Sequence, residues 1–177
     1  SKTSRGCIIR KSGINPRKIF PLYNFIDIKK FSKKYGKRWK EKMGIKDPIV
    51  LYVSKLTPAK GIEFLIRSIP LVKEKIKHVK FIITGPVSFE QKVKNPWVNL
   101  VKRCGASKDT IFTGAVSDDE LPKIYSSADI FCLPTLRETF CIVLAEAMSS
   151  GLPIVSSNLQ TVKEVTGRAS LLVERKN

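Results

Sequence analysis

Six short runs rich in β-branched and aromatic residues alternate with stretches of helical periodicity, and this alternation constrains the fold more than any other feature. The runs are 49–54 (IVLYVS), 79–84 (VKFIIT), 110–113 (TIFT), 129–133 (DIFCL), 153–156 (PIVS) and 170–173. Between them the pattern predicts helices over about 60–75, 88–104, 118–127, 140–150 and 159–165. Strand–helix alternation of this kind means βαβ units and a parallel sheet. Right-handed crossovers then place helices on both faces, so the expected class is α/β with a Rossmann-like sheet. A chain of 177 residues with 42% hydrophobic content suffices for one such core.

Residues 1–46 depart from this pattern. They carry 15 Lys/Arg against Asp27 and Glu41, within a whole-chain net charge of +18. They read as a basic entry segment belonging to the same domain, with 47–177 as the Rossmann-like α/β unit. Ile19–Tyr23 (IFPLY) is a candidate short strand in which Pro21 favours an edge or a bend. Phe31, Tyr35, Trp39 and Met43 recur every fourth residue, which predicts a helix over Lys29–Met43 ringed by lysines. Such a helix fits an anionic membrane or RNA surface; an aromatic stripe packed on the sheet with its lysines in water is the favoured reading.

Several classes are disfavoured. No apolar run approaches the roughly 18 residues of a membrane span. No secretory signal or low-complexity tract is read. Cys7, Cys104, Cys132 and Cys141 form no C-x-x-C pair, and His78 is the one histidine, so no zinc framework is expected. Cys132 and Cys141 read as reduced, packed thiols, which suits a cytoplasmic protein. Neither G-x-G-x-x-G nor G-x-x-x-x-G-K-[ST] occurs. Ser117 to Glu120 reads as a capping box for the following helix rather than an acidic metal site.

Ligands of open parallel sheets bind beyond the carboxyl ends of the strands. Lys55 and Lys60 follow one strand end, Gly85 a second, and Glu138, Thr139 and Phe140 a third. The helix after Phe140 is apolar all round except for Glu146, so it is expected to be largely buried, with Thr139 as N-cap and Gly151 as its stop. A carboxylate in such a helix needs a partner or a water-lined pocket. First-turn amides suit phosphate, lysines add charge, and glutamates accept hydrogen bonds from sugar hydroxyls. Taken alone, each lysine also fits solvated surface.

At these residues the chain resembles the donor-binding C-terminal domain of the family 4, or group 1, retaining glycosyltransferases of GT-B fold. Glu138 to Glu146 (ETFCIVLAE) looks like the family's E-x₇-E motif, continued by Ser150 to Val155 (SGLPIV). Leu51 to Leu56 with Lys60-Gly61 resembles its strand ending in G-R-L and its K-G; Pro21 to Asp27 resembles its P-N-G-V-D entry. The resemblance implies that Lys60 and Lys55 meet the donor diphosphate, with Lys55 standing where the family has arginine. It implies that Glu138 faces the donor sugar and that the amides of Phe140, Cys141, Ile142 and Val143 meet phosphate or sugar. Glu146 would bind ribose and Gly85 would lie near the donor. It further implies no cofactor and no metal, a nucleotide diphosphate sugar (UDP- or GDP-) as substrate, and a carbohydrate or lipid-linked acceptor. The acceptor would be held by an N-terminal domain that this chain lacks, so the chain is expected to bind nucleotide but not to turn over alone. Peripheral placement at the cytoplasmic membrane face is a further expectation. Other readings are a basic RNA- or membrane-binding module, nucleic acid being the less favoured partner, or another GT-B enzyme such as a nucleotide-sugar epimerase.

Overall fold

The computed structural model describes residues 1–32, 36–87 and 95–175. Six strands, β1 (Ile49–Val53), β2 (Lys80–Thr84), β3 (Thr110–Gly114), β4 (Ile130–Leu133), β5 (Ile154–Ser157) and β6 (Leu171–Val173), form one sheet. Every pairing is parallel, in the order β3-β2-β1-β4-β5-β6. The expected α/β class is therefore present, with each strand within a residue of its predicted bounds. The apolar runs follow from burial on both faces, as central parallel strands require. Ile49, Leu51 and Tyr52 of β1 and Ile82 and Ile83 of β2 have no exposed surface.

The helices are α1 (Lys2–Ser12), α2 (Gly36–Lys42), α3 (Ile62–Lys75), α4 (Pro96–Arg103), α5 (Leu121–Ser127), α6 (Ile142–Ser149) and α7 (Gln160–Thr166). Helix α3 buries Ile62, Leu65, Ile66 and Ile69, the i, i+3, i+4, i+7 stripe of an amphipathic helix. Each fully buried Ile or Leu of this kind contributes about 1.5–3 kcal/mol. Right-handed crossovers put α3 and α4 on one face and α5, α6 and α7 on the other. The part of the predicted 88–104 helix at 88–94 lies outside the described residues; α4 supplies the rest.

The entry segment differs most from expectation. Helix α1 has no buried residue, so no periodicity announces it. It is held at its amino end by Glu164 of α7, which accepts hydrogen bonds from the backbone N–H of Lys2 and Thr3 and from Thr3 Oγ1. Ile19–Tyr23 forms no strand, because no neighbouring strand offers it a ladder and Pro21 lacks a donor. The predicted 29–43 helix is shorter: residues 28–32 form turns and bends, 33–35 (with Tyr35) lie outside the described residues, and α2 starts at Gly36. Phe31 and Trp39 are buried in the core, whereas Met43 is 43% exposed. The Ser117–Glu120 capping box does not form. Glu120 is itself the N-cap without a side-chain bond, and the Ser117 carbonyl accepts the N–H groups of Glu120 and Leu121.

Candidate functional site

The strand order reverses between β1 and β4, the central pair. From β1 the chain crosses to one side, and from β4 to the other, so the loops beyond their carboxyl ends diverge and leave a crevice. After β1 come Ser54 to Gly61, including the 3₁₀ turn Pro58–Lys60. After β4 come Pro134 to Cys141, leading into α6.

The two loops are tied together. The Leu136 N–H donates to the Ala59 carbonyl at 2.9 Å. Buried Thr135 shares its hydroxyl proton between the carbonyls of Ala59 (3.2 Å) and Arg137 (3.1 Å). Gly61 has φ +69°, and a Cβ there would stand 1.7 Å from the Pro134 carbonyl oxygen, so only glycine permits this approach. Lys60 Nζ lies 2.6 Å from Glu138 Oε1 and bridges the crevice. Tyr52, fully buried in β1, donates its hydroxyl to the Lys60 carbonyl at 3.2 Å. Burial holds that phenol well above its ordinary range.

Helix α6 begins two residues later than the sequence suggests. Its N-cap is Cys141, with φ 74° and ψ 65°, rather than Thr139. Thr139 is exposed, and its carbonyl accepts from the hydroxyls of Ser1 and Ser4. Among the described residues Cys141 is the one non-glycine with positive φ. Burial, and after it the Glu138 carboxylate, push its thiol well up; burial alone pushes Cys132 up to about 12. Phe140 turns its ring toward Tyr23 of the entry segment, at 6.0 Å between centroids. The free first-turn amides of Ile142 and Val143 lie at the start of α6.

Helix α6 is less buried than its composition implies. Leu144 and Ala147 are fully buried, but Ile142 is 38% and Met148 37% exposed. Met148 faces a groove of about 570 Å³ between α6, α7 and the entry segment, lined also by Tyr23, Ile28 and Phe140. Glu146 is half-buried and its Oε2 accepts the Tyr125 hydroxyl at 2.8 Å. Burial pushes its carboxyl above the usual range, the Tyr125 bond pulls it back, nearby Asp118 raises it and Lys30 lowers it.

Lys60, Glu138, Cys141 and the α6 amino end thus share one crevice. Lys55 is exposed and lines a smaller hollow of about 230 Å³ with Ser54, Thr84, Gly85 and Val116. Gly85 (φ +138°) sits so close that a Cβ would be 1.9 Å from the Ser54 carbonyl oxygen. Sequence reasoning missed Tyr125 and Thr135. A tyrosine on the apolar face of α5, whose hydroxyl needs a buried partner, is the signal that could have found the first. No helix among the described residues is long and apolar enough to cross a membrane.

Comparison with known proteins agrees with the fold. The sequence profile of the family described as glycosyl transferases group 1 matches residues 36–177. An uncharacterized glycosyltransferase of Methanocaldococcus jannaschii is 33% identical over 156 residues, covering 84% of this chain and 38% of that protein. A GDP-mannose-dependent α-(1-6)-phosphatidylinositol monomannoside mannosyltransferase of Mycobacterium tuberculosis is 29% identical over 118 residues, 63% of this chain and 30% of that one. The crystal structure of Anabaena HepE in complex with UDP and glucose superposes with a TM-score of 0.84 at 22% identity, over 99% of this chain and 48% of that one. The chain therefore spans well under two thirds of the length of these similar proteins. With a profile match over most of its length and the relative from Methanocaldococcus, the chain belongs to the group 1 glycosyltransferase family.

Proposed function

We propose that this chain is the donor-binding part of a retaining hexosyltransferase that uses a nucleotide diphosphate sugar without a metal ion. The observation that carries the reading is the Lys60–Glu138 pair spanning the switch-point crevice beside the α6 amino end. A cation, first-turn amides and carboxylates there suit a diphosphate flanked by hydroxyl-rich groups. An ammonium has three donors, so Lys60 can keep Glu138 and still reach a phosphate oxygen. In this reading Lys60 and Lys55 hold the diphosphate. Glu138 faces the donor sugar, and the amides from Phe140 to Val143 contact phosphate or sugar. Gly85 lets the β1 and β2 loops close beside the donor, and Glu146 accepts from ribose hydroxyls. Stabilising charge on the departing diphosphate does most of the electrostatic work.

The acceptor, a carbohydrate or lipid-linked sugar, would bind to another part of a longer enzyme, since the similar proteins named above are about twice as long. UDP and GDP are the first nucleotides to try: one is bound in the Anabaena complex and the other belongs to the donor named for the mycobacterial relative. A thermal-shift screen of UDP, GDP, ADP and their sugars tests the reading. Ligand at a hundred-fold excess over Kd stabilises the native state by about 2.7 kcal/mol. A raised midpoint with UDP or GDP supports it; no shift with any nucleotide contradicts it.

A second reading concerns the entry segment. Phe20, Leu22, Phe25 and Ile28 are 84%, 91%, 93% and 69% exposed, between the cations Arg17, Lys18, Lys29 and Lys30. Apolar side chains among cations fit the surface of an anionic bilayer, at which a lipid-linked acceptor would be found. Co-sedimentation with phosphatidylglycerol vesicles, against phosphatidylcholine vesicles, tests it; equal binding to both removes it.

A further inference from the structure

Glu146 owes its placement to a residue of another helix. Tyr125 of α5 is fully buried. Its ring packs edge-on against Phe31 at 5.5 Å and stacks on Phe131 of β4 at 5.7 Å between centroids. Clamped in this way, the ring leaves its hydroxyl little freedom. The hydroxyl lies 2.8 Å from Glu146 Oε2 and 3.2 Å from the Val143 carbonyl oxygen. A phenol carries one proton, and the shorter, charge-assisted bond takes it. Among the described residues Glu146 Oε1 accepts no hydrogen bond.

We propose that Tyr125 is the positioning residue of this site: by fixing Oε2 it presents Oε1 of Glu146 to a ligand hydroxyl. The proposal rests on the reading of Glu146 as the ribose contact. The groups acting on Glu146 come from three places: Tyr125 on α5, Asp118 in the turn before α5, and Lys30 of the entry segment. Deleting the Tyr125 hydroxyl removes one of the two influences that hold the Glu146 carboxyl down.

Tyr125→Phe keeps the ring and deletes the hydroxyl. Calorimetry with UDP, GDP and 2′,3′-dideoxy-UDP is run on the wild type, Tyr125→Phe, Glu146→Gln and the double variant. Carbon-13 NMR follows the Glu146 carboxyl titration in the wild type and in Tyr125→Phe. Tyr125→Phe should weaken the ribonucleotide about five- to ten-fold, leave the dideoxy analogue unchanged and move the Glu146 midpoint upward. In the Glu146→Gln background it should cost less than about two-fold, since the two residues act as one unit. Equal losses for both nucleotides, additive losses in the double variant, or an unmoved midpoint would overturn the proposal. If the wild type binds no ribonucleotide, the donor reading fails, and the NMR titration still decides whether Tyr125 governs Glu146. Should Tyr125→Phe not fold, the wild type alone suffices: the Tyr125 Cζ resonance must follow the Glu146 titration, and an indifferent resonance overturns the claim.

Discussion

Lys60 and Glu138, 78 residues apart in sequence, meet at 2.6 Å between Nζ and Oε1 and join the turn after β1 to the loop after β4. The Glu138 side chain is 6% exposed and that of Lys60 28%. The pair therefore sits at the mouth of the crevice with its carboxylate on the inner side. Removing the cation strands a buried charge; neutralising the anion does not.

That asymmetry predicts different stabilities for the two single variants. Lys60→Ala should destabilise by about 2–3 kcal/mol, less than a fully buried pair would lose because Lys60 is part-exposed. Glu138→Gln should cost under about 1 kcal/mol, and adding it to Lys60→Ala should recover part of the loss. Urea unfolding of the four proteins measures this. A double variant no more stable than Lys60→Ala would show that the stranded charge is not the cause.

Cys141 occupies the left-handed region at φ 74° with a buried side chain. Glycine there relieves backbone strain but loses packing, so Cys141→Gly should stay within about 1 kcal/mol of the wild type. Cys141→Val places a β-branched residue in a conformation it resists and should cost about 2 kcal/mol or more. Denaturation midpoints compare them; equal tolerance of both substitutions would mean that the loop reshapes freely.

The parts of this molecule that were readable in advance are those where local pattern and burial agree. The run IVLYV announces β1 because a central parallel strand is apolar on both faces. The E-x₇-E block locates the carboxylates, but not their partners: Lys60 reaches Glu138 and Tyr125 reaches Glu146 only through the sheet order. Helix α1 was illegible because contact with Glu164, rather than an apolar stripe, holds it. The Thr139 N-cap expectation failed because α6 starts from a left-handed Cys141, a choice that side-chain propensity does not favour.

Glu164 makes α1 sensitive to acid. Burial, the largest single influence, raises its carboxyl, but the hydrogen bonds from Tyr23, Thr3 and Lys2 together outweigh it and hold it at about 2, against an ordinary 4.5. A depressed carboxyl stabilises the fold above its unfolded value and loses that contribution as pH falls toward 2. The urea midpoints of the wild type and Glu164→Gln should therefore be well separated above about pH 5 and converge near pH 2. A gap independent of pH would remove the electrostatic explanation.

Helix α2 lies at the other end of the sheet. Its Lys40 pairs at 2.9 Å with Asp129, whose carboxylate also accepts the Ile49 N–H at the amino end of β1. A strand of five residues separates that end from the crevice by about 16 Å, beyond the screening length of about 8–10 Å in physiological salt. Replacing Lys37, Arg38 and Lys42 together by glutamine should leave UDP or GDP affinity within about two-fold. Loss of nucleotide affinity in this variant would redraw the site.

The central claim is that the switch-point crevice binds the donor nucleotide, and calorimetric titration of UDP and GDP into the wild type, Lys60→Ala and Glu146→Gln tests it most directly. One nucleotide should bind the wild type. Glu146→Gln should weaken it by about 1.5–3 kcal/mol, the worth of a hydrogen bond to a charged group, while the fold remains cooperative. Lys60→Ala should weaken the diphosphate more than the free nucleoside. Nucleotide binding left intact by both substitutions would contradict the account.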